Sequence, residues 1–433
     1  MRYVIVGSSA AGIAAVEAIR RSDERGSVTV VSDEPSPLYS RCLLSYYLAG
    51  TIDASGLAYR SSEFFGEMRV DARLSTKAES VDVSRQVLVC ERGAEIPYDQ
   101  LLIATGASAK IPRSIPAVKG VFVLRTIADA VAIRATAESA HHAVVLGGGL
   151  IGMKAAFGLS KRGLHVTVIV RSRYVLSQMI DADAARIVMD GLREHGISVL
   201  TGADVAGTDV RDGRLIGVTL DPPAEGGGSL PCDILIVAKG VQANCGLVEG
   251  TGIECHAGIV TDSTQRTNIE NVFAAGDVAE TLDAATGERS VNALWTCAVQ
   301  QGKTAGFNMA GRERRYDGSL GMNSINFPGA DLISFGVTNP PADSDYEVLV
   351  DRRVDQGVYK KLVLRENRVK GLILVNRIDA AGVLLSLLRS RADVSGFEDA
   401  LLSDRFSYAQ ILALGGRTEW NRYRTASNPI GSG

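Results

Sequence analysis

The stretch Arg2–Arg21, RYVIVGSSAAGIAAVEAIRR, decides the fold of this chain. Its first residues have the apolar pattern of a buried strand, its centre is rich in glycine, and the remainder has helical spacing. A second strand pattern, SVTVV, follows at Ser27–Val31 and leads into Asp33 and Glu34. Strand, glycine-rich turn, helix, strand and acid in this order are typical of a dinucleotide-binding unit, whose helix N-terminus faces the phosphates.

Each small residue of the turn has an expected task. Gly7 allows the tight turn, the middle position lets the backbone approach the pyrophosphate, and Gly12 lets helix and strand pack closely. The middle position is Ser9 here, so the motif alone is weak. The residues that we expect to bind the first nucleotide are Gly7, Ser9, Ala11 and Gly12.

A second copy of this unit strengthens the prediction. Ala143–Leu146 has a strand pattern, GGGLIG follows at Gly147–Gly152, and a helical stretch leads to the strand Val166–Val170. The residues expected to bind the second nucleotide are Gly147, Gly149, Leu150, Ile151, Gly152, Arg171 and Gly240.

Two further segments also repeat. Tyr98–Gly106 (YDQLLIATG) and Cys232–Gly240 (CDILIVAKG) are each a buried strand that ends in a turn of small residues. Thr267–Asp277 (TNIENVFAAGD) is a third strand of this kind. Any one of them could be an ordinary buried strand, but all five signals in this order indicate two nucleotide-binding domains.

The two units differ where each should contact an adenosine ribose. Asp33 or Glu34, with Glu34 favoured, is the expected ribose partner in the first unit; a solvent-exposed pair is the alternative. The second unit has Val170 at this position, followed by Arg171. An arginine favours a 2′-phosphate, so the residues point toward NADP(H) or tolerance of both nicotinamides, unless the arginine only faces solvent. The choice between NAD(H) and NADP(H) stays open.

Composition excludes several classes of protein. The 433 residues carry 46 Lys+Arg and 49 Asp+Glu, a net charge of −3, which gives no reason to expect nucleic-acid binding. No apolar run is long enough for a membrane span, and Glu17 interrupts the apolar start of the chain, which argues against a signal peptide. The six cysteines form no CxxC pair and the five histidines no ligand cluster, so we expect no metal and a cytoplasmic location.

The order of motifs resembles the FAD/NAD(P)-dependent pyridine nucleotide-disulfide oxidoreductase class over about Arg2 to Gly311. The resemblance implies an α/β fold with two Rossmann-like, three-layer domains, the NAD(P) domain inserted in the FAD domain, and a small α+β C-terminal domain. The implied FAD-binding domain is 1–110 with 241–311, the NAD(P)-binding domain is 111–240, and the C-terminal interface domain with its tail is 312–433.

The resemblance also implies further FAD contacts. The late GD motif gives Gly276 and Asp277, and Asn292–Gly302 (NALWTCAVQQG) begins a helix that faces the flavin through Trp295 and Thr296. Lys154 departs from the class, which commonly has Glu near the nicotinamide. The complete set of predicted FAD contacts is Gly7, Ser9, Ala11, Gly12, Asp33, Glu34, Arg41, Cys42, Ala104, Thr105, Gly106, Gly276, Asp277, Trp295 and Thr296.

Cys42 separates two branches of the class. NADH oxidases and coenzyme A-disulfide reductases have a redox cysteine at this position, whereas ferredoxin, rubredoxin and nitrite reductase flavoproteins have an Arg-x-x-Leu-Ser stretch without one. Arg41–Ser45 (RCLLS) has the second pattern with a cysteine placed as in the first. The His that oxidases carry in the first turn is replaced by Ala10. An inert Cys42 is therefore favoured, and a redox thiol is the alternative.

The C-terminal part has three strand patterns, at Tyr346–Val350, Tyr359–Leu364 and Arg368–Val375, the last two joined by a polar turn. Val383–Arg389 and Glu398–Leu402 have helical patterns. The polar tail Gly415–Gly433 is interpreted as a flexible or partner-bound extension.

The resemblance implies an FAD-dependent NAD(P)(H):acceptor oxidoreductase. Because the chain has no cluster motif of its own, the one-electron acceptor would be an iron-sulfur protein or subunit. The stretch LYSRCLLSYYLAG also resembles flavoprotein subunits of tungsten aldehyde oxidoreductase and phenylglyoxylate dehydrogenase complexes. The alternatives are a single-cysteine CoA-disulfide reductase or NADH oxidase that uses Cys42, and a non-catalytic FAD-bound scaffold subunit. A homo-oligomer is compatible with each of these.

Overall fold

The structure is a computed structural model, and it describes residues 1–35, 38–224, 227–327, 329–407 and 409–410. The predicted tail Gly415–Gly433 lies outside the described residues. The strands are β1 (Arg2–Val6), β2 (Ser27–Val31), β3 (Val70–Arg73), β4 (Ala78–Asp82), β5 (Val87–Cys90), β6 (Glu95–Pro97), β7 (Gln100–Ile103), β8 (Ala107–Ala109), β9 (Val121–Phe122), β10 (His142–Leu146), β11 (His165–Val170), β12 (Ile197–Thr201), β13 (Asp204–Arg211), β14 (Arg214–Ala224), β15 (Gly227–Pro231), β16 (Ile234–Val237), β17 (Val241–Ala243), β18 (Ile259–Val260), β19 (Val272–Ala274), β20 (Ala279–Leu282), β21 (Arg289–Ser290), β22 (Met322–Phe327), β23 (Ala330–Gly336), β24 (Glu347–Arg353), β25 (Val358–Arg365) and β26 (Arg368–Val375). The α-helices are α1 (Ala10–Arg20), α2 (Leu44–Leu48), α3 (Phe64–Glu67), α4 (Ile127–Ala137), α5 (Leu150–Ser160), α6 (Ala182–Glu194), α7 (Trp295–Met309), α8 (Ala381–Ser390) and α9 (Glu398–Leu401).

The first nucleotide-binding unit is built on a parallel sheet in the order β19-β7-β1-β2-β3. Because both faces of such a sheet are covered at its centre, β1, β7 and β19 are almost continuously apolar, whereas the edge strand β3 is not. Helices α1 and α7 pack on one face, and glycines let their backbones meet. A Cβ at Gly302 would lie 2.1 Å from the Ala11 carbonyl oxygen, and one at Gly306 would lie 2.5 Å from that of Ala15. Helix α7 is thereby held against the helix that follows the first glycine-rich turn.

The second copy follows the same plan. Strand β10 pairs in parallel with β16, with Ala143 opposite Ile234, and β16 pairs in parallel with β9. Helix α5 begins directly after the second glycine-rich turn. Smaller sheets, β4-β5-β6, β13-β14-β15 and β18-β20-β21, and the pair β8–β17 lie between and after these strands along the chain. The predicted α/β class with parallel sheets is confirmed.

The C-terminal part is one antiparallel sheet in the order β22-β23-β26-β25-β24, with α8 against β26. The three predicted strands correspond to β24, β25 and β26, and the predicted helices to α8 and α9. Glu366 and Asn367 both have positive φ, 52° and 54°, in the tight turn that joins β25 to β26. The predicted hairpin is confirmed.

The described chain forms two compact units. The first contains Met1–Gly147, Ile151–Val168 and Asp204–Leu320. The second contains Gly148–Leu150, Ile169–Ala203 and the described residues from Gly321 onward. The C-terminal sheet therefore shares a unit with α6, a helix of the second nucleotide-binding copy. The domain boundaries expected from the sequence, at 110, 240 and 311, stay a prediction.

Candidate functional site

The first glycine-rich turn lies between β1 and α1. Gly7 has φ +114°, and a Cβ there would lie 2.2 Å from the Ala104 carbonyl oxygen, so no other residue fits. A Cβ at Gly12 would lie 1.9 Å from the Gly7 carbonyl oxygen. Ser9 is the residue before α1, and its side chain does not cap the helix in the described structure. The first-turn N–H groups of α1 are therefore not occupied by a side-chain cap, as an anion site requires.

The two candidate ribose acids have different surroundings. Asp33 is exposed, whereas Glu34 is half-buried and accepts a 2.5 Å hydrogen bond from the Tyr39 hydroxyl. Glu34 also forms an ion pair with Arg41. A cleft at this turn is lined by Ser8, Ser9, Glu34, Leu38, Tyr39 and Arg41. The structure thus brings Ser9, Glu34 and Arg41 together, as the sequence analysis expected of FAD contacts, while their role stays a prediction.

Arg125 is a site residue that the sequence analysis missed. Its guanidinium donates to the Asp277 carboxylate at 2.8 Å, and its carbonyl accepts a 2.7 Å bond from Arg41. The buried Arg125 Nε has no hydrogen-bond partner within the described residues. Arg125 directly precedes a capping box formed by Thr126 and Asp129 at the start of α4, but that local signal marks a helix start and does not identify the partner of Arg125.

Asn244 is a second missed residue, and it fixes the turn after β7. Its side-chain amide donates to the Thr105 carbonyl at 2.9 Å, and the Thr105 hydroxyl donates to the Asn244 carbonyl at 2.9 Å. The Asn244 N–H donates to the Gly106 carbonyl. These bonds hold the predicted contacts Ala104, Thr105 and Gly106 in one conformation.

The late GD motif meets helix α7. The Gly276 N–H donates to the buried Gln301 side chain at 2.7 Å. Trp295 is the first residue of α7, within the segment Asn292–Gly302 that was expected to begin a helix, and its ring and that of Tyr59 form an edge-to-face pair at a centroid distance of 5.1 Å. Burial raises the pKa of the Tyr59 hydroxyl. Trp295 is half-buried and Thr296 exposed at the N-terminus of the helix.

Cys42 lies in the short 3₁₀ turn Arg41–Leu43, and its side chain is exposed. Desolvation by the surrounding protein nevertheless raises the pKa of the thiol, because the positive charge of Lys154 opposes it only in part. The negative charge of Asp277 raises that pKa further. Lys154, from the first turns of α5, also lies 6.0 Å from the Tyr46 ring centroid. The protein around Cys42 therefore shifts the pKa of its thiol in the direction opposite to the one that activates a nucleophilic cysteine, and whether the thiol is redox-active stays a prediction.

The second glycine-rich turn repeats the geometry of the first. Gly147 has φ +121°, and a Cβ there would lie 2.3 Å from the Ala238 carbonyl oxygen. A Cβ at Gly152 would lie 2.0 Å from the Gly147 carbonyl oxygen. At Gly240 a Cβ would meet nothing within 4 Å, so space is open above this turn. Neighbouring Lys239 is held by both oxygens of Asp204, at 3.0 and 2.8 Å.

The remaining predicted contacts of this nucleotide belong to the second compact unit or to α5. Gly149 is exposed, with open space around its Cβ position, and Leu150 begins α5. Ile151 is 47% exposed, unusual for a large apolar side chain. Arg171 is exposed directly after β11, whose last residue, Val170, is buried.

The described residues contain neither a metal-ligating cluster nor a helix that could span a membrane. No cluster of three or more His, Cys, Asp or Glu side chains in that part of the chain could hold a metal ion. Among the same residues, no helix has both the length and the apolar character needed to cross a bilayer.

Comparison with known families decides the class. The model of the pyridine nucleotide-disulphide oxidoreductases matches residues 1–302. The chain belongs to this family. Residues 322–392 match the rubredoxin NAD⁺ reductase C-terminal domain. Members of the family are oxidoreductases that use FAD and NAD(P)H, and the expected class, enzyme activity and cofactors are thereby confirmed.

Individual relatives extend over most of the chain. It is 32% identical over 406 residues to the epsilon subunit of an NADH-dependent phenylglyoxylate dehydrogenase from Aromatoleum evansii, which covers 91% of this chain and 93% of the relative. An NAD-dependent persulfide reductase from A. fulgidus matches with a TM-score of 0.81 and 28% identity, over 89% of this chain and 77% of the other. A putidaredoxin reductase–putidaredoxin complex matches with a TM-score of 0.87 and 23% identity, over 96% and 99%. Two Rossmann-like domains followed by a C-terminal domain are the shared architecture.

The residues of the first turn fit FAD. The glycines clear a backbone path, the α1 N-terminus lacks a side-chain cap, and the Arg125 guanidinium keeps one buried N–H unpaired within the described residues. An anionic diphosphate next to these donors is the ligand chemistry that such a set stabilises.

Proposed function

We propose that the chain passes electrons between a nicotinamide dinucleotide and an iron-sulfur protein as the flavoprotein subunit of a larger redox complex. Bound FAD supplies the chemistry, because it exchanges two electrons with nicotinamide and single electrons with a metal cluster. In this proposal the residues of the first turn hold FAD, and those of the second turn with Arg171 hold the nicotinamide dinucleotide.

The observation that carries the proposal is the match of residues 322–392 to the rubredoxin NAD⁺ reductase C-terminal domain, and the surroundings of Cys42 agree with it. A disulfide reductase needs a thiolate beside the flavin, but here the pKa of the thiol is raised. Electrons must then leave the flavin for an external acceptor. Within the described residues no cluster of metal-ligating side chains provides an internal one. The match of 322–392 to a rubredoxin reductase domain and the likeness to a dehydrogenase subunit support an iron-sulfur acceptor.

The protein's own residues would prepare this transfer. The ion pair between Arg125 and Asp277 fixes both side chains, and Gln301 holds Gly276 at the start of the GD turn. The N-terminus of α7, at Trp295, carries the positive end of a helix dipole, which would stabilise negative charge on a reduced flavin held there.

The test is an anaerobic titration of the FAD-bound protein with NADH or NADPH, followed by addition of a rubredoxin or a ferredoxin. We expect reduction to stop at two electrons, without a thiolate-to-flavin absorption band, and Cys42→Ser to reduce the iron-sulfur protein within about 2-fold of the wild-type rate. Uptake of further electrons, or loss of that activity in the variant, would overturn the proposal. Purification of the native protein without a co-eluting iron-sulfur chain would remove the complex-subunit part.

The second candidate is a persulfide or CoA-disulfide reductase that uses Cys42. The exposure of Cys42 and the nearby charge of Lys154 favour it, as does the likeness to the persulfide reductase of A. fulgidus. It predicts that Cys42→Ser abolishes turnover of a CoA persulfide, whereas the first proposal predicts no such turnover in the wild type.

A further inference from the structure

The segment between β11 and α6, residues 171–180, follows the strand end at which a Rossmann unit contacts an adenosine ribose. It contains little regular structure, yet three of its apolar side chains are buried: Val175 and Ile180 are 0% and Leu176 is 2% exposed. Leu176 has a positive φ of 56°, which is costly for a leucine. Its N–H donates to the carbonyl of Gly148, in the second glycine-rich turn, at 2.7 Å. A hydrogen bond thus ties the conformation of the segment to the turn. Because this conformation includes an unfavourable φ at Leu176, other contacts must stabilise it.

The C-terminal sheet supplies the restraint. The Asn339 amide donates to the Ile180 carbonyl at 3.0 Å and to the Ser177 carbonyl at 3.3 Å. Asp181, which closes the segment, accepts 2.9 Å and 2.6 Å bonds from Lys361 Nζ and the Tyr359 hydroxyl. Both donors lie on β25. All these residues belong to the second compact unit.

The Asp181 carboxylate both binds the donors on β25 and caps α6. Its other oxygen, Oδ1, accepts the Ala184 N–H at 3.2 Å and caps α6. The Lys361 side chain is only 10% exposed and that of Asp181 18%. A buried ammonium needs its partner, because an unpaired charge there is strongly unfavourable. Lys361 therefore fixes where the segment ends and where α6 begins.

We propose that Lys361, Tyr359 and Asn339 are positioning residues for the nicotinamide dinucleotide. They hold the 171–180 segment, and with it Arg171, in the conformation that receives the adenosine ribose. The C-terminal sheet is then part of the nucleotide-binding apparatus as well as a candidate partner surface. This inference rests on the proposed nicotinamide role of the second glycine-rich turn.

Lys360 provides a matched control for Lys361. It is the adjacent residue on β25, its side chain is only 5% exposed, and it also pairs with a carboxylate. Its partners are Asp404 and the Leu402 carbonyl, so it does not touch the segment. Lys360→Met and Lys361→Met remove the same charge from neighbouring positions. Only the second should release the segment.

The experiment compares both variants with the wild type as FAD-bound protein. For Lys361→Met we expect Kd and KM for NADH and NADPH to rise roughly 5- to 10-fold, with kcat at saturation and the flavin spectrum unchanged. Amide hydrogen exchange at 175–180, measured without nucleotide, should accelerate as well. For Lys360→Met we expect loss of thermal stability, with no rise in Kd or KM and no faster exchange at 175–180. Because Asn339 is exposed, Asn339→Ala should fold in any case and raise KM in the same direction.

Three results would overturn the inference. Equal rises in Kd for Lys360→Met and Lys361→Met would mean a general loss of stability. Faster exchange at 175–180 with unchanged Kd in both Lys361→Met and Asn339→Ala would mean that the segment does not determine nucleotide affinity. Failure of the wild type to bind either nicotinamide dinucleotide would remove the proposed function, and this inference with it. The first two results leave the proposed function intact.

Discussion

The two glycine-rich turns have nearly the same backbone geometry. A Cβ would lie 2.2 Å from a carbonyl oxygen at Gly7 and 2.3 Å at Gly147, and 1.9 Å and 2.0 Å at Gly12 and Gly152. Glycine is required at these positions by backbone crowding within the turn, whichever nucleotide is bound. The first and last glycines of each motif are therefore typical of the fold and do not indicate which ligand is bound.

The differences between the turns lie where side chains reach outward. The first turn has Ser9 where the second has Gly149, and α1 has Ala14 where α5 has Lys154. The first unit ends in a half-buried Glu34, and the second in the exposed Arg171. We therefore expect these positions to determine ligand choice and local charge. Substitutions there should affect ligand binding at the two sites differently.

The largest expected effect comes from alanine at the crowded glycines. Gly7→Ala should yield protein without bound flavin and lower the free energy of unfolding by roughly 2–4 kcal/mol, because the added Cβ and the positive φ are both unfavourable. Gly147→Ala should keep the flavin spectrum but lose reduction by NADH and NADPH. Gly66→Ala, with no atom near the new Cβ, is the control. Flavin loss in both variants would show that the two turns are not separate sites.

Charge reversal at Arg171 should have the next largest effect. If it receives a 2′-phosphate, Arg171→Glu should raise Kd for NADPH roughly 10- to 100-fold and change Kd for NADH much less, because a charged hydrogen bond is replaced by repulsion. Fluorescence titration with both nucleotides measures this. Arg193→Glu, an exposed α6 arginine paired with Asp190, should change neither. Equal effects on both nucleotides would place Arg171 away from the phosphate.

Removal of the Lys154 charge should have a moderate effect. The pKa of the Cys42 thiol is already above its ordinary value, and Lys154 is a charge that lowers it. Lys154→Met should raise this pKa further, decrease the thiolate fraction near pH 8, and slow alkylation of Cys42 by iodoacetamide roughly 2- to 5-fold. Lys161→Met is the control, because the Lys161 ammonium lies over the Phe157 ring. Faster alkylation in Lys154→Met would contradict the assignment of the charge.

The smallest expected effect is at Ser9. Ser9→Gly makes the first turn match the second, yet Kd for FAD should change by less than about 2-fold, because the serine side chain does not cap α1 and glycine is tolerated at this position. Flavin release measured by fluorescence tests this. A large change would give the Ser9 hydroxyl a direct part in flavin binding.

Much of the molecule was determined by sequence alone. The strand–turn–helix repeat at Gly7 and Gly147 and the hairpin at Asn367 depend on local chemistry: which backbone a glycine permits, where apolar side chains recur, and where a helix can begin. Such constraints act over a few residues and are therefore visible without coordinates.

Only the tertiary structure decided which distant groups meet. Arg125 with Asp277, Asn244 with Thr105, and Asp181 with Lys361 are separated by 152, 139 and 180 positions in the chain. Their partners are selected by sheet order and packing, which no local pattern encodes. The raised pKa of the Cys42 thiol has the same origin, because the desolvation that dominates it comes from protein packed near the side chain.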